Sequence, residues 1–260
     1  MSAPFLRGWM DATQPVSTVA RLVVLREKAG ARASVEKALD DSVKEHFVGL
    51  DILAKIGTYK QALAHIRNKL PANKRVRSGD FGEILATEYA SDFTEYRIPI
   101  KRLRWKDDRA VAMRGNDVIG IKKHKERWHL LKGESKSRAT LSDQAVKDAV
   151  DGLHKHTGRP NPSSLAFIAS RLHELGRHDE ATVFDELQTR TLRLDEIEHM
   201  VFTFSGNDPV SCLNKHSDPA KASVRRHLVG CVIEDHQKLI EGVFERLYAG
   251  TTSTTRRATK

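Results

Sequence analysis

Glu134-Ser135-Lys136 closes a run, His129 to Ser135, whose apolar content reads as a β-strand. Strand side chains alternate between faces, so Glu134 and Lys136 point the same way. Gly133 just before them lets another backbone approach closely. Seventeen residues ahead of Glu134, Asp117 follows the turn-like Arg114-Gly115-Asn116 and opens a second strand candidate, Val118 to Ile121. Any fold for this chain must therefore carry an acid, and then an acid and a lysine, at one end of a sheet.

The surroundings are basic. Between Arg97 and Arg138 there are 14 Lys/Arg and 5 Asp/Glu, a net of +9, against +10 for all 260 residues. The pI near 9.6 favours a polyanionic partner. Nucleic acid is the better candidate than an anionic membrane, because no long helix shows one basic and one bulky apolar face. No apolar run approaches the roughly 20 residues that span a bilayer. The first thirty residues lack the order of a signal peptide, so the chain is read as cytoplasmic. An apolar fraction of 39% and a mean hydropathy of −0.48 fit a globular protein with an ordinary core. Cys212 and Cys231 make neither a zinc pattern nor a disulfide framework, and both are expected reduced.

The periodicity predicts helices between Ser34 and Leu70, broken at Gly57-Thr58 and ended by Pro71. This stretch is either an N-terminal helical layer or a partner-docking module, and we place it at 1–75. The first thirty residues give no assignable elements. Ser78 or Asp80 is expected to cap the next helix, which carries Phe81, Leu85 and Tyr89 on one face. Gly79, Gly82, Ala86 and Ala90 lie on the other, with Glu83 among them. Small residues let a helix lie close to a sheet, and Glu83 is either aimed at that sheet or a solvated acid. A further strand is expected at Tyr96–Ile100. Helices are expected from the Ser142 cap to Leu153, from Ser164 to Leu175 and from His178 to Thr189. Strands at Met200–Phe204 and Leu228–Ile233 precede a closing helix carrying Leu239, Ile240, Val243, Phe244, Leu247 and Tyr248. The whole is a mixed α/β domain over 76–250, and the polar tail, 251–260, is expected to be disordered.

Hydrolysis of a phosphodiester needs charge neutralisation, a positioned water and support for the leaving oxygen. Hard carboxylate oxygens hold the Mg²⁺ that can supply much of this, and a lysine beside the metal orients water or offsets charge. The bland alternative is an ordinary edge-strand charge pair between Glu134 and Lys136. The basic residues Lys101, Arg102, Arg104 and Lys106 surround Trp105, and Lys122, Lys123 and Lys125 precede Trp128. They are read as contacts to a phosphate backbone, with base stacking by the tryptophans less favoured than core packing. No nucleotide-motor loop of the Gly-x-x-x-x-Gly-Lys kind occurs.

Gly-Asp-Phe-Gly-Glu83-Ile-Leu, Gly-Asn-Asp117-Val-Ile-Gly and Lys-Gly-Glu134-Ser-Lys136 together resemble the PD-(D/E)xK nuclease superfamily with its restriction-endonuclease-like core. Within it, the chain is most similar to the nuclease subunits of the Hachiman antiphage defence system. Asn116 stands where the superfamily's name has proline. The resemblance implies Mg²⁺ or Mn²⁺ on Asp117 and Glu134, with the Ser135 carbonyl as an extra ligand and Glu83 completing the shell. It implies Lys136 as catalytic lysine, Arg138 among the nucleic-acid contacts and Gln144 as an accessory polar residue. It further implies DNA as substrate and a helicase subunit of the same defence system as partner. A catalytically idle fold that grips DNA or docks a helicase, and a stand-alone restriction-type endonuclease, remain as alternatives.

Overall fold

The computed structural model describes residues 5–15, 21–216 and 224–250. Its centre is a mixed sheet of β1 (Met10–Thr13), β2 (Arg21–Glu27), β3 (Val118–His124), β4 (Arg127–Arg138), β5 (Ile197–Ser205) and β6 (Arg225–Val232). The strand order is β1-β2-β6-β5-β4-β3. The inner pairs β2–β6, β6–β5 and β5–β4 are parallel, and the outer pairs β1–β2 and β3–β4 are antiparallel. β5 is buried at every position, as a strand covered on both faces must be.

The helices are α1 (Leu6–Trp9), α2 (Ala31–Phe47), α3 (Leu50–Leu53), α4 (Tyr59–Lys69), α5 (Lys74–Phe93), α6 (Asp143–His154), α7 (Pro162–Glu174), α8 (His178–Thr189), α9 (Val210–Asn214) and α10 (His236–Ala249). α5 and α6 cover opposite faces of the sheet. Phe81, Ile84 and Leu85 of α5 share a core with Leu131, Met200, Phe202 and Phe204. Val146, Ala149 and Leu153 of α6 share another with Val201 and Leu228. The small-residue face of α5 lets it sit hard against β4: a Cβ on Gly82 would stand 2.9 Å from the Ser137 Cβ. On the other side, a Cβ on Gly152 would stand 3.1 Å from the Glu134 Cδ. A third core joins Ile119, Ile121 and Leu130 to the α7–α8 hairpin through Leu165, Ile168 and Phe184.

Residues 1–30, which carry no readable pattern, supply β1 and β2. Leu22-Val23-Val24-Leu25 is a wholly buried run without alternation, because β2 pairs in parallel with β6. The expected boundary near residue 75 falls within the first turn of α5, and side chains on both sides of it, such as Phe47, Leu70, Phe81 and Phe244, share one core. The expected strand at Tyr96–Ile100 shrinks to one bridge, Arg97 to Ile121, because Pro99 has no N–H to extend the ladder. α5 begins earlier than expected. Asn73 is its cap, accepting from Val76 N at 3.0 Å, whereas Ser78 bonds Ser137 and Asp80 bonds Lys106. Ser142 caps α6 and α8 spans His178–Thr189, both as the sequence predicts. Both cysteines are free. No described helix is long and apolar enough to cross a membrane. The polar tail, 251–260, lies outside the described residues.

A buried charge cluster ties α2 to α5. His46 Nε2 lies 2.8 Å from Glu88 Oε1, and Lys101 Nζ donates to Glu88 at 2.8 Å and to Glu45 at 3.1 Å. Burial pushes His46 below its usual range, so the ring is neutral and its Nε2–H donates to the carboxylate. Burial alone would raise Glu88, but the hydrogen bonds from His46 and Lys101, with the Lys101 charge, outweigh it and bring it to about 2. Both groups bind protons more weakly in the folded state. Their stabilisation is present above the unfolded values of 6.5 and 4.5 and is lost as pH falls. The melting temperature should therefore fall between pH 7 and pH 3. The difference between wild type and Glu88→Gln should shrink below pH 4.5, as Glu88 protonates in the unfolded chain. Thermal denaturation across this range checks it; a difference that stays constant to pH 3 contradicts it.

Candidate active site

Asp117 enters from the loop before β3 and lies across the neighbouring strand. Its Oδ2 accepts from the backbone N of Ser135 at 2.8 Å. This one bond fixes the carboxylate beside Glu134 and Lys136. Lys136 Nζ lies 3.8 Å from Glu134 Oε2 and donates to the Ser135 carbonyl at 3.2 Å. Glu134 and Lys136 share the α6 face of β4, as the strand period predicts. Glu83 comes from α5, on the opposite face. Asp117, at the strand end, stands between the two, and its charge bears on both glutamates.

Arg102 organises this corner. Its Nε donates to Glu83 Oε1 at 2.6 Å, and its Nη2 lies 4.0 Å from Asp117 Oδ1. The same guanidinium donates to the carbonyls of Met113 at 3.0 Å, Arg114 at 3.1 Å and Asn116 at 2.5 Å. The loop that delivers Asp117 is thus tied to the side chain that holds Glu83. One turn before Glu83, Asp80 accepts from Lys106 Nζ at 2.6 Å in a buried pair.

The acids outnumber the charges that answer them. Burial pushes Glu83 up to about 8, Asp117 adding to this and Arg102 opposing it. Burial pushes Glu134 up to about 7, again with Asp117 adding and Lys136 opposing. Asp80 is raised to about 6 by burial against the pull of Lys106. Such crowding of carboxylates marks a place where a further cation fits. Among the described residues, no three His, Cys, Asp or Glu side chains gather closely enough to hold a metal as they stand. Nevertheless Asp117, Glu134 and the Ser135 carbonyl offer hard oxygens of the kind Mg²⁺ and Mn²⁺ take.

A cleft of about 550 Å³ opens over this corner, lined by Asp80, Glu83, Asp117, Ser135, Lys136 and Arg138, with Arg75 at its rim. Glu134 is not in that lining; its carboxyl rests on Gly152. Arg75 is a residue sequence reasoning missed. Its signal was the run Lys74-Arg75-Val76-Arg77 directly ahead of Ser78. Arg138 lies on the rim and donates to its neighbour's carbonyl, Ser137 O, at 2.8 Å.

The other basic candidates divide. Lys101, Arg102 and Lys106 are turned inward onto Glu88, Glu83 and Asp80, and Arg104 bonds Asp51 at 3.2 Å and lies over Trp105. Lys122 lies 4.5 Å over the Tyr96 ring and pairs with Glu95. Lys123 and Lys125 are exposed on the β3–β4 hairpin, Lys123 paired with Glu126 at 2.8 Å. Trp105 packs edge-on to Phe167, and Trp128 is half-buried against the same core. Gln144, on the exposed face of α6, donates to Asp148 at 2.6 Å.

The family model named HamA matches residues 15–247. The Hachiman protein HamA of Bacillus cereus is 30% identical over 148 residues, which are 56% of this chain and 51% of that protein. The match thus spans about half the length of that curated relative.

Removing the Arg102 guanidinium leaves the carbonyls of Met113, Arg114 and Asn116 without their donor, and burial then holds Glu83 in its neutral form. A buried polar group left unpaired costs about 1–3 kcal/mol. Arg102→Ala should therefore lower the urea midpoint at pH 7. A variant as stable as wild type would show that Arg102 does not hold the corner.

Proposed function

The chain belongs to the HamA family, and from that premise we propose that it is a metal-dependent deoxyribonuclease with a PD-(D/E)xK core. In this reading it is the nuclease effector of a bacterial antiphage complex of the Hachiman type, working with a helicase subunit. The observation that carries the reading is the bond from Ser135 N to Asp117 Oδ2, which brings an acid from one strand to the Glu-x-Lys of the next. The name of the Bacillus cereus relative supports the Hachiman part of it.

Asp117, Glu134 and the Ser135 carbonyl would hold the Mg²⁺ or Mn²⁺, with Glu83 as a further carboxylate. When bound, the metal polarises a phosphoryl oxygen and lowers the pKa of a water. The chain's own part is to bring phosphate and water together. Lys136, anchored on the Ser135 carbonyl, offers an ammonium to orient a water or answer charge on the phosphate. Arg75 and Arg138 at the cleft rim offer cations to the phosphate backbone beside the bond to be cut. Gly152 gives the Glu134 carboxyl its room on α6.

Cleavage of DNA by the chain with its helicase partner and Mg²⁺ tests the reading. Glu134→Ala and Lys136→Ala should each slow cutting by about 10²-fold or more. EDTA should abolish it. Cutting that survives both substitutions unchanged would overturn the assignment.

A further inference from the structure

A second cavity, of about 560 Å³, adjoins the acidic cleft and shares Arg75, Ser137 and Arg138 with it. Lys74, Arg77 and Ser78 complete its α5 wall, and His236, Gln237 and Glu241 its α10 wall. It holds four cationic side chains, and Glu241, paired with Lys74 at 2.6 Å, is the one acid in its lining. At its base Ser78 Oγ lies 2.8 Å from Ser137 Oγ, which lies 3.0 Å from His236 Nε2. Arg77 is held in place by the Pro71 carbonyl at 3.2 Å and by the Tyr248 ring, 4.9 Å from its Cζ. Arg75 is exposed and makes no ion pair among the described residues.

The helix that forms the first of these walls breaks a rule of helix electrostatics. A helix N-terminus carries about half a positive charge and favours acids in its first turn. α5 has no acid there and instead opens with Lys74, Arg75 and Arg77. α10 keeps the rule, with Asp235 at its N-cap. Cations on a positive helix end are unfavourable unless an anion sits among them. A local rule broken in this way, beside a cavity lined by four cationic side chains, points to a functional site.

We propose that this cavity binds a phosphate of the DNA strand that passes through the acidic cleft. Arg75 and Arg138 would contact that phosphate from the shared wall, and Ser78 and Arg77 would receive it at the base. This rests on the reading of the neighbouring cleft as the place where the strand is cut. The cavity then sets the path of the strand, because a phosphate held beside the acids fixes which bond lies over Asp117 and Glu134.

Fluorescence anisotropy tests it with the full chain, fluorescein-labelled single-stranded and duplex DNA, and EDTA in place of metal, so that binding is read without cutting. The double variant Arg75→Gln/Arg138→Gln should bind at least one of the two DNAs about 10-fold more weakly at 0.1 M salt. The slope of log K against log salt should shrink by about one to two. Its melting temperature should hold or rise, since a cation has left a helix N-terminus. Arg193→Gln, which removes an exposed arginine elsewhere, should leave affinity and slope unchanged. The proposal falls if wild type binds neither DNA, if the double variant binds both as wild type does, or if Arg193→Gln weakens binding equally. A melting temperature that falls with the affinity also overturns it. The two readings separate cleanly. Metal-dependent cutting that needs Glu134, alongside unaltered binding by the double variant, removes the cavity and keeps the nuclease. Arg75-dependent binding with no cutting does the reverse.

Discussion

The guanidinium of Arg102 does at one point what several contacts would otherwise have to do separately. It neutralises Glu83 on α5, faces Asp117, and takes three carbonyls of the loop that leads into β3. Without that donor the loop carbonyls would lie unpaired, and burial would hold Glu83 neutral beside the half-buried Asp117. Even with Arg102 in place, burial, with the Asp117 charge adding to it, holds Glu83 and Glu134 well above their ordinary range. Four acids, Asp80, Glu83, Asp117 and Glu134, meet at this corner with three cations, Arg102, Lys106 and Lys136.

The rest of the fold serves to aim side chains at this corner. Parallel strands put the ends of β4 and β5 in register, and the β3–β4 hairpin sets the Asp117 end of β3 against Ser135. Two glycines set the distances. Gly82 brings α5, and so Glu83, against β4, and Gly152 leaves space for Glu134 under α6. Lys132, fully buried, donates to the carbonyls of Leu153, Lys155 and Arg159 and so fixes the end of α6 to the same strand. Positive charge is layered: an inner set paired with buried acids, and an outer set of Lys74, Arg75, Arg77 and Arg138 around the cavity beside them.

Much of the corner was legible in the sequence. Period two put Glu134 and Lys136 on one face, and the Gly-Asn-Asp turn put Asp117 at a strand start. What pattern could not supply was which side of the sheet α5 would cover, so Glu83 was expected beside the other acids when it lies across the strand from Glu134. Nor does charge content separate cations that face solvent from those that balance buried acids. Lys101, Arg102 and Lys106 read as a basic surface because their partners Glu88, Glu83 and Asp80 are distant along the chain. Residues 21–27 were unreadable for a related reason: a parallel strand buried on both faces has no alternation to find. The start of α5 escapes the pattern because Ser78 and Asp80 look like caps but are engaged in tertiary bonds to Ser137 and Lys106.

The central claim is that Asp117, with Glu134, makes a seat for a divalent cation at the end of β4. Isothermal titration of the metal-free chain with Mn²⁺ addresses it without reference to any substrate. The account predicts saturable binding by wild type that Asp117→Asn abolishes or weakens at least tenfold, while the variant keeps its fold. Binding of equal strength by both proteins, or none by wild type, would contradict it.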